Sequence, residues 1–336
     1  TALSFGDDAP CHGYLVGEPH QGLKYMFQMM NEARIGVGFG AAVIGYRGYM
    51  HSLEYAKDRL QGRKASEKNP ESPQVPIIDH ADVRRMLLAQ KAYSEGGLAL
   101  CLYGARLMDD QHTHPDEQKR MESGKLLDLL TPVIKAWPSE YGPKANDLAI
   151  QVYGGAGYTR EYPVEQCWRD NRLNPIHEGT NGIQALDLLG RKIWQDQSHG
   201  LQLLMQEMQV DLQAATTERC QQWALSLSET LQQAVKVTQS LGKSLMGGEV
   251  DKTLANASCY LHLFGHIIVA WMWLRQANAA AHALGSANSD SERNFYQGKL
   301  QAAQYFFHWE LPTVAQDLVL LRNQDDTCLN MKSEWF

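Results

Sequence analysis

The sequence predicts an all-α protein, and three observations carry that reading. Apolar residues recur at helical spacing through most of the 336 residues. Polar breaks bearing Gly or Pro divide them into segments of helical length. Only one short stretch, residues 11–18 (CHGYLVGE), reads as β.

In chain order, residues 1–20 lead in through that β-like stretch and a turn at 17–22. The chain opens on Thr1 rather than Met, so it reads as a piece of a longer protein. Residues 23–60 follow as a long helix. Six glycines or alanines between Gly36 and Gly45 weaken it locally, which predicts close packing against neighbouring helices. Residues 62–76, polar and holding three prolines, form a loop. Helices are expected at about 79–110, 115–137 and 143–153, then a non-periodic stretch at 154–179 and a helix over 181–194.

After residue 195 the composition turns Gln-, Ala- and Leu-rich, with breaks at 216–217, 247–248 and 285–291. Four helices near 197–214, 218–246, 250–284 and 291–322 read as an antiparallel bundle appended to the first unit. The domains expected are therefore 1–20, 21–194 and 195–336.

Composition excludes several functions. The net charge is −7, and neither part is basic: residues 1–194 hold 22 Lys and Arg against 24 Asp and Glu, and residues 195–336 hold 9 against 14. That sign opposes nucleic-acid binding. Six scattered cysteines without a CxxC pair indicate neither a zinc site nor a disulfide framework, which fits a reducing, cytoplasmic setting. The most apolar run, residues 259–274, is short for a membrane span and is broken by His262, Gly265 and His266, so it reads as a buried helix. His262 and His266 stand i, i+4, but lacking an HExxH glutamate or a third ligand they read as core or interface histidines, and no metal is expected. Trp271 and Trp273 read as core or interface filling.

Chemistry concentrates in residues 151–184, QVYGGAGYTREYPVEQCWRDNRLNPIHEGTNGIQ. This loop-rich stretch interrupts helices and sets a carboxylate, Glu178, just before a helix start. The plain alternative for Glu178 is a helix cap, since acidic groups favour that end.

The stretch resembles the acyl-CoA dehydrogenase family in a series of ordered motifs. Gln151, Gly154, Gly155 and Gly157 come first, then Tyr162, Pro163 and Glu165, then Arg169 and Asp170, then Glu178, Gly179, Thr180, Ile183 and Gln184. Upstream, Arg34 through Tyr55, Ala56 and Arg59 resembles the family's arginine-bearing helix. The resemblance covers residues 12–194, and the bundle beyond it looks like the extension of a longer-chain branch similar to 3-methylmercaptopropionyl-CoA dehydrogenase.

The resemblance implies the helical carboxy-terminal portion of such an enzyme, with the opening residues as the tail of a β-domain. It implies FAD-dependent α,β-dehydrogenation of an acyl-CoA, with Glu178 accepting the α-proton and hydride passing to flavin N5. It implies FAD contacts from Arg59, from Gln151, Val152, Tyr153, Gly154 and Gly155, and from Thr180, Asn181 and Gly182. Substrate contacts would come from Arg34 and Gly179. Arg34 also reads as a helix-surface arginine paired with Glu32 or Asp58. A homodimer or dimer of dimers, with electron-transfer flavoprotein as redox partner, is implied as well. An oxidase and a non-catalytic, DNA-associated flavoprotein of the same fold are the competing readings. This sequence departs from the family pattern at Gly62, His177 and Gly182.

Overall fold

The computed structural model describes residues 2–336, with Phe27 and Gln28 described by backbone only. Eleven α-helices occur among them: α1 (Gly22–Asp58), α2 (Ala81–Thr113), α3 (Glu117–Tyr153), α4 (Val164–Asn171), α5 (Asn181–Gly190), α6 (His199–Gln213), α7 (Glu218–Met246), α8 (Val250–Leu254), α9 (Ala257–Leu284), α10 (Asp290–Tyr305) and α11 (Ala315–Asn323). The all-α prediction holds.

Helix α3 lies against both α1 and α2, and these three long helices form the frame. The sequence split α3 at its prolines, but Pro132, Pro138 and Pro143 all lie inside one continuous helix. A proline within a helix frees the carbonyl four residues back, and Pro138 frees that of Ile134. Gly38 of α1 sits against this carbonyl so closely that a Cβ there would collide with it. The glycine and alanine cluster of α1 thus lets α1 seat on the irregular face that the proline creates. Asp116 caps α3, accepting from the Gln118 N–H at 2.9 Å.

Several other boundaries differ from expectation. Residues 11–18 form no strand and are exposed; among the described residues the only β-type contact outside helices is a bridge between Leu60 and Pro76. Isolated from any partner strand, an extended segment has no ladder to complete. The stretch 154–179 contains α4, and the helix begun at Asn181 ends at Gly190, where Arg191 takes φ −136°. The expected helix 250–284 is broken into α8 and α9, and 291–322 is interrupted by a π turn (Phe306–Glu310) and a 3-10 turn that begins beside Pro312.

One buried apolar cluster runs from Leu100, Leu130 and Ile134 of the frame into Trp223, Ile268, Trp271 and Trp273 of the later helices. Helix α9 is its axis. It is long and apolar enough to cross a membrane by length and composition, but 83% of its most apolar window is buried inside the protein. The indole N–H groups of Trp271 and Trp273 donate to Asp211 (2.7 Å) and to the Ala92 carbonyl (3.1 Å), so both tryptophans are satisfied core residues.

Candidate functional site

The turn between α4 and α5 is held from below by a ladder of buried amides. Asn171, the last residue of α4, donates through Nδ2 to the Ala41 carbonyl at 3.1 Å and to Asn146 Oδ1 at 2.7 Å. Asn174 Nδ2 donates to Asn171 Oδ1 at 2.8 Å, and Asn174 Oδ1 lies 3.0 Å from His177 Nε2. The Asn181 N–H reaches back to the Pro175 carbonyl at 3.0 Å and closes the turn.

At the far end of this turn Glu178 and Gly179 take φ of +55° and +82°. A glutamate in the left-handed region is uncommon and carries strain, whereas glycine adopts it freely. Gln184 Nε2 supports both residues, donating to the carbonyls of Glu178 (3.2 Å) and Gly179 (3.4 Å). Glu178 is half-buried. It is not the cap of α5: Thr180 takes that place, its hydroxyl accepting from the Ile183 N–H at 3.3 Å. The carboxylate of Glu178 is therefore not committed to capping.

Two basic residues are tied to the turn and to the helix that follows it. Arg34, buried on α1, donates to Asp187 of α5 at 3.2 Å, so its partner is neither Glu32 nor Asp58. Lys135, which the sequence reading missed, is fully buried on α3. Its Nζ donates to the Asn174 carbonyl at 2.8 Å and to Asn181 Oδ1 at 3.2 Å. Burial pushes its ammonium down to about 8, nearby Arg34 pushes the same way, and Glu178 pulls it back up. A lysine inside the apolar run LLDLLTPVIKAW was the available signal.

A second locus gathers Arg59 with residues 151–155. They line an open cavity of about 710 Å³ together with Tyr55, His80 and Tyr162. Tyr55 and Tyr153 stack there with ring centroids 4.0 Å apart, and His80 Nε2 lies 2.8 Å from the Gln61 carbonyl. Arg59 is exposed and has no carboxylate partner among the described residues. Lys135 and Gln151 are separated by about 24 Å along α3, so the predicted site residues fall into two groups. Glu178, Gly179, Thr180, Asn181, Gly182 and Arg34 form one, and Arg59 with residues 151–155 forms the other.

A smaller cavity of about 280 Å³ joins Asn181 to the later helices through Trp137, Tyr141, Ser258 and His262. His262 is held by Asp317 (2.5 Å) and Tyr141 (2.8 Å), while His266 is buried with Nδ1 at 3.1 Å from the His262 carbonyl. They are interface and core residues, and no group of three His, Cys, Asp or Glu among the described residues is arranged to hold a metal ion.

Comparison with known proteins bears on both loci. Residues 20–194 match the family model described as "Acyl-CoA dehydrogenase, C-terminal domain", and residues 204–332 match "Acetyl-CoA dehydrogenase C-terminal like". Broad-specificity linear acyl-CoA dehydrogenase FadE5 of Mycobacterium tuberculosis is 33% identical over 99% of this chain and 56% of its own length. The 3-methylmercaptopropionyl-CoA dehydrogenase of Ruegeria pomeroyi is 34% identical over 91% of this chain and 51% of its own. The chain thus spans about half the length of these curated relatives. Among solved structures, Caenorhabditis elegans ACDH-11 in complex with C11-CoA superposes with a TM-score of 0.71 at 18% identity, covering 96% of this chain and 47% of that one. Acyl-CoA dehydrogenase complexed with FAD from Bacillus anthracis gives 0.69 at 19% identity, covering 90% and 51%. Both share the fold.

Proposed function

The chain belongs to the acyl-CoA dehydrogenase family, and on that premise we propose that the full-length protein carries out FAD-dependent α,β-dehydrogenation of an acyl-CoA thioester, with Glu178 accepting the α-proton. The observation that carries this reading is the turn at Glu178. Its carboxylate is half-buried, free of capping duty and fixed on a strained backbone that Gln184 holds in place. A base that takes a weakly acidic proton works best when its position is set before substrate arrives.

The residues fit a flavin. Arg59 is an exposed cation in a cavity walled by residues 151–155 and by aromatic rings, a setting suited to a diphosphate. Thr180 and Gly182 are exposed at the start of α5, where the Asn181 N–H is taken by the Pro175 carbonyl and the Ile183 N–H by the Thr180 hydroxyl, so the Gly182 N–H is the first-turn donor left for an anion. Asn181 lies between them. When bound, FAD supplies the hydride-accepting chemistry. The separation of about 24 Å along α3 between the two groups supports their serving different ends of the cofactor or different protomers of a homodimer or dimer of dimers. Arg34 and Gly179 would lie on the substrate side. Electron-transfer flavoprotein as acceptor, a cytoplasmic setting and a functional division at residue 195 complete the proposal.

The test is Glu178→Gln in the full-length protein, mixed anaerobically with acyl-CoA while the flavin absorbance is followed. Bleaching slowed by about 10²-fold or more is expected. Bleaching at the wild-type rate would overturn the assignment.

A further inference from the structure

Lys135 is not explained by packing alone. It is fully buried in the middle of α3, yet neither of its hydrogen-bond partners is a carboxylate. A buried ammonium costs several kcal/mol unless paired and hydrogen-bonded, so an apolar residue there would serve a core better. The two acceptors it does have are informative. The carbonyl of Asn174 lies at one end of the turn and the side chain of Asn181 at the other, and Glu178 stands between them in the chain.

We propose that Lys135 is a positioning residue for Glu178: its Nζ ties the two ends of the turn together, so that the backbone carrying Glu178 is held in place, and its positive charge favours the ionised carboxylate. The inference rests on the reading of Glu178 as the base.

Three elements place charged or titratable groups around this ammonium. Arg34 of α1 acts on it with like charge, and Glu178 of the turn acts with opposite charge. Asp187 of α5 is engaged by Arg34 and by Arg191, and His177 is held by Asn174. Glu178 is therefore the one carboxylate acting on Lys135 that no other cation claims among the described residues. With burial pushing the ammonium down to about 8, the charge acting on Glu178 should fade at mildly alkaline pH.

The experiment compares wild type, Lys135→Met and Glu178→Gln in the full-length protein. Flavin bleaching by acyl-CoA is followed by stopped flow from pH 6 to 10. Wild type should slow as pH rises through about 8. Lys135→Met should bleach about 100-fold more slowly, show no change with pH in that window, and bind acyl-CoA within about threefold of wild type. A folded Lys135→Met protein with the wild-type rate and the wild-type pH profile overturns the proposal. Should Lys135→Met not fold, the lysine side chain is titrated by NMR in wild type and in Glu178→Gln. A lysine near 8 that titrates still lower without the Glu178 charge supports the pairing, and an unchanged titration refutes it. Undiminished bleaching by Glu178→Gln would instead remove the reading on which the inference stands, and is distinguishable because the lysine would still titrate lower in that variant than in wild type.

Discussion

Arg34 and Asp187 form a nearly buried ion pair at 3.2 Å across 153 residues of sequence, with only 10% and 12% of their side chains exposed. It fastens the first long helix to α5, the helix that begins just after Glu178. Asp187 is shared with Arg191, at 2.7 Å, but that arginine is well exposed. Removing Asp187 therefore strands one guanidinium in the interior, where its Nε already lacks a partner.

Asp187→Ala should cost about 3–5 kcal/mol in urea denaturation, the range for breaking a buried pair from one side. The double variant Arg34→Met, Asp187→Leu should recover most of that loss, because no charge is left behind. A cost for Asp187→Ala below about 1 kcal/mol would place the pair with ordinary surface bridges and refute its structural role.

Gly179→Ala should destabilise by about 1–2 kcal/mol. Its φ of +82° disfavours any side chain, and a Cβ would lie 2.7 Å from Gln184 Nε2, the group that supports the Glu178 carbonyl. The same change should slow flavin bleaching in the full-length protein, since Gln184 must shift. Unfolding within about 0.3 kcal/mol of wild type would show that the turn is softer than its geometry indicates.

The sequence conveyed the elements whose signal is local. The helical spacing of residues 23–60 and of 79–110 gave α1 and α2 to within a few residues, and the ordered motifs of 151–184 located the strained turn. Missed features depend on distant partners. Pro138 breaks a helix by any local rule, and α3 survives because Gly38, a hundred residues away, makes room for the carbonyl it frees. Lys135 finds its acceptors 39 and 46 residues on, and Arg34 finds its acid on a helix that no spacing rule connects to it. Such pairings are set by packing, not by propensity.

Arg59→Ala should lower the flavin content of the full-length protein. The arginine has no competing acid among the described residues, so its charge is available to a diphosphate. Loss of a charged hydrogen bond of about 1.5–3 kcal/mol corresponds to roughly 10- to 100-fold weaker binding. The ratio of absorbance at 450 nm to 280 nm after dialysis measures it. A wild-type ratio would argue that the cofactor's phosphates are held elsewhere.

Two buried groups at the contact between the frame and the later helices should give stability opposite dependences on pH. His266 is buried with Nε2 unpartnered, and burial, aided by neighbouring His262, holds its imidazole well below 6.5. The unfolded chain therefore takes up this proton first, so stability falls as pH drops below about 6.5 toward the folded value. Glu310, in the π turn, accepts from Tyr93 at 2.8 Å, yet burial outweighs that bond and pushes its carboxyl above 4.5. Here the folded state holds the proton more tightly, so the contribution is present below 4.5 and is lost as pH rises through the folded value. His266→Phe should flatten the acid limb of a urea-stability profile between pH 7 and 5. Glu310→Gln should stabilise the protein at pH 7 and make the same limb steeper, because it removes the term that offsets His266 on acidification. Parallel profiles for wild type and both variants would mean that neither group titrates differently on unfolding.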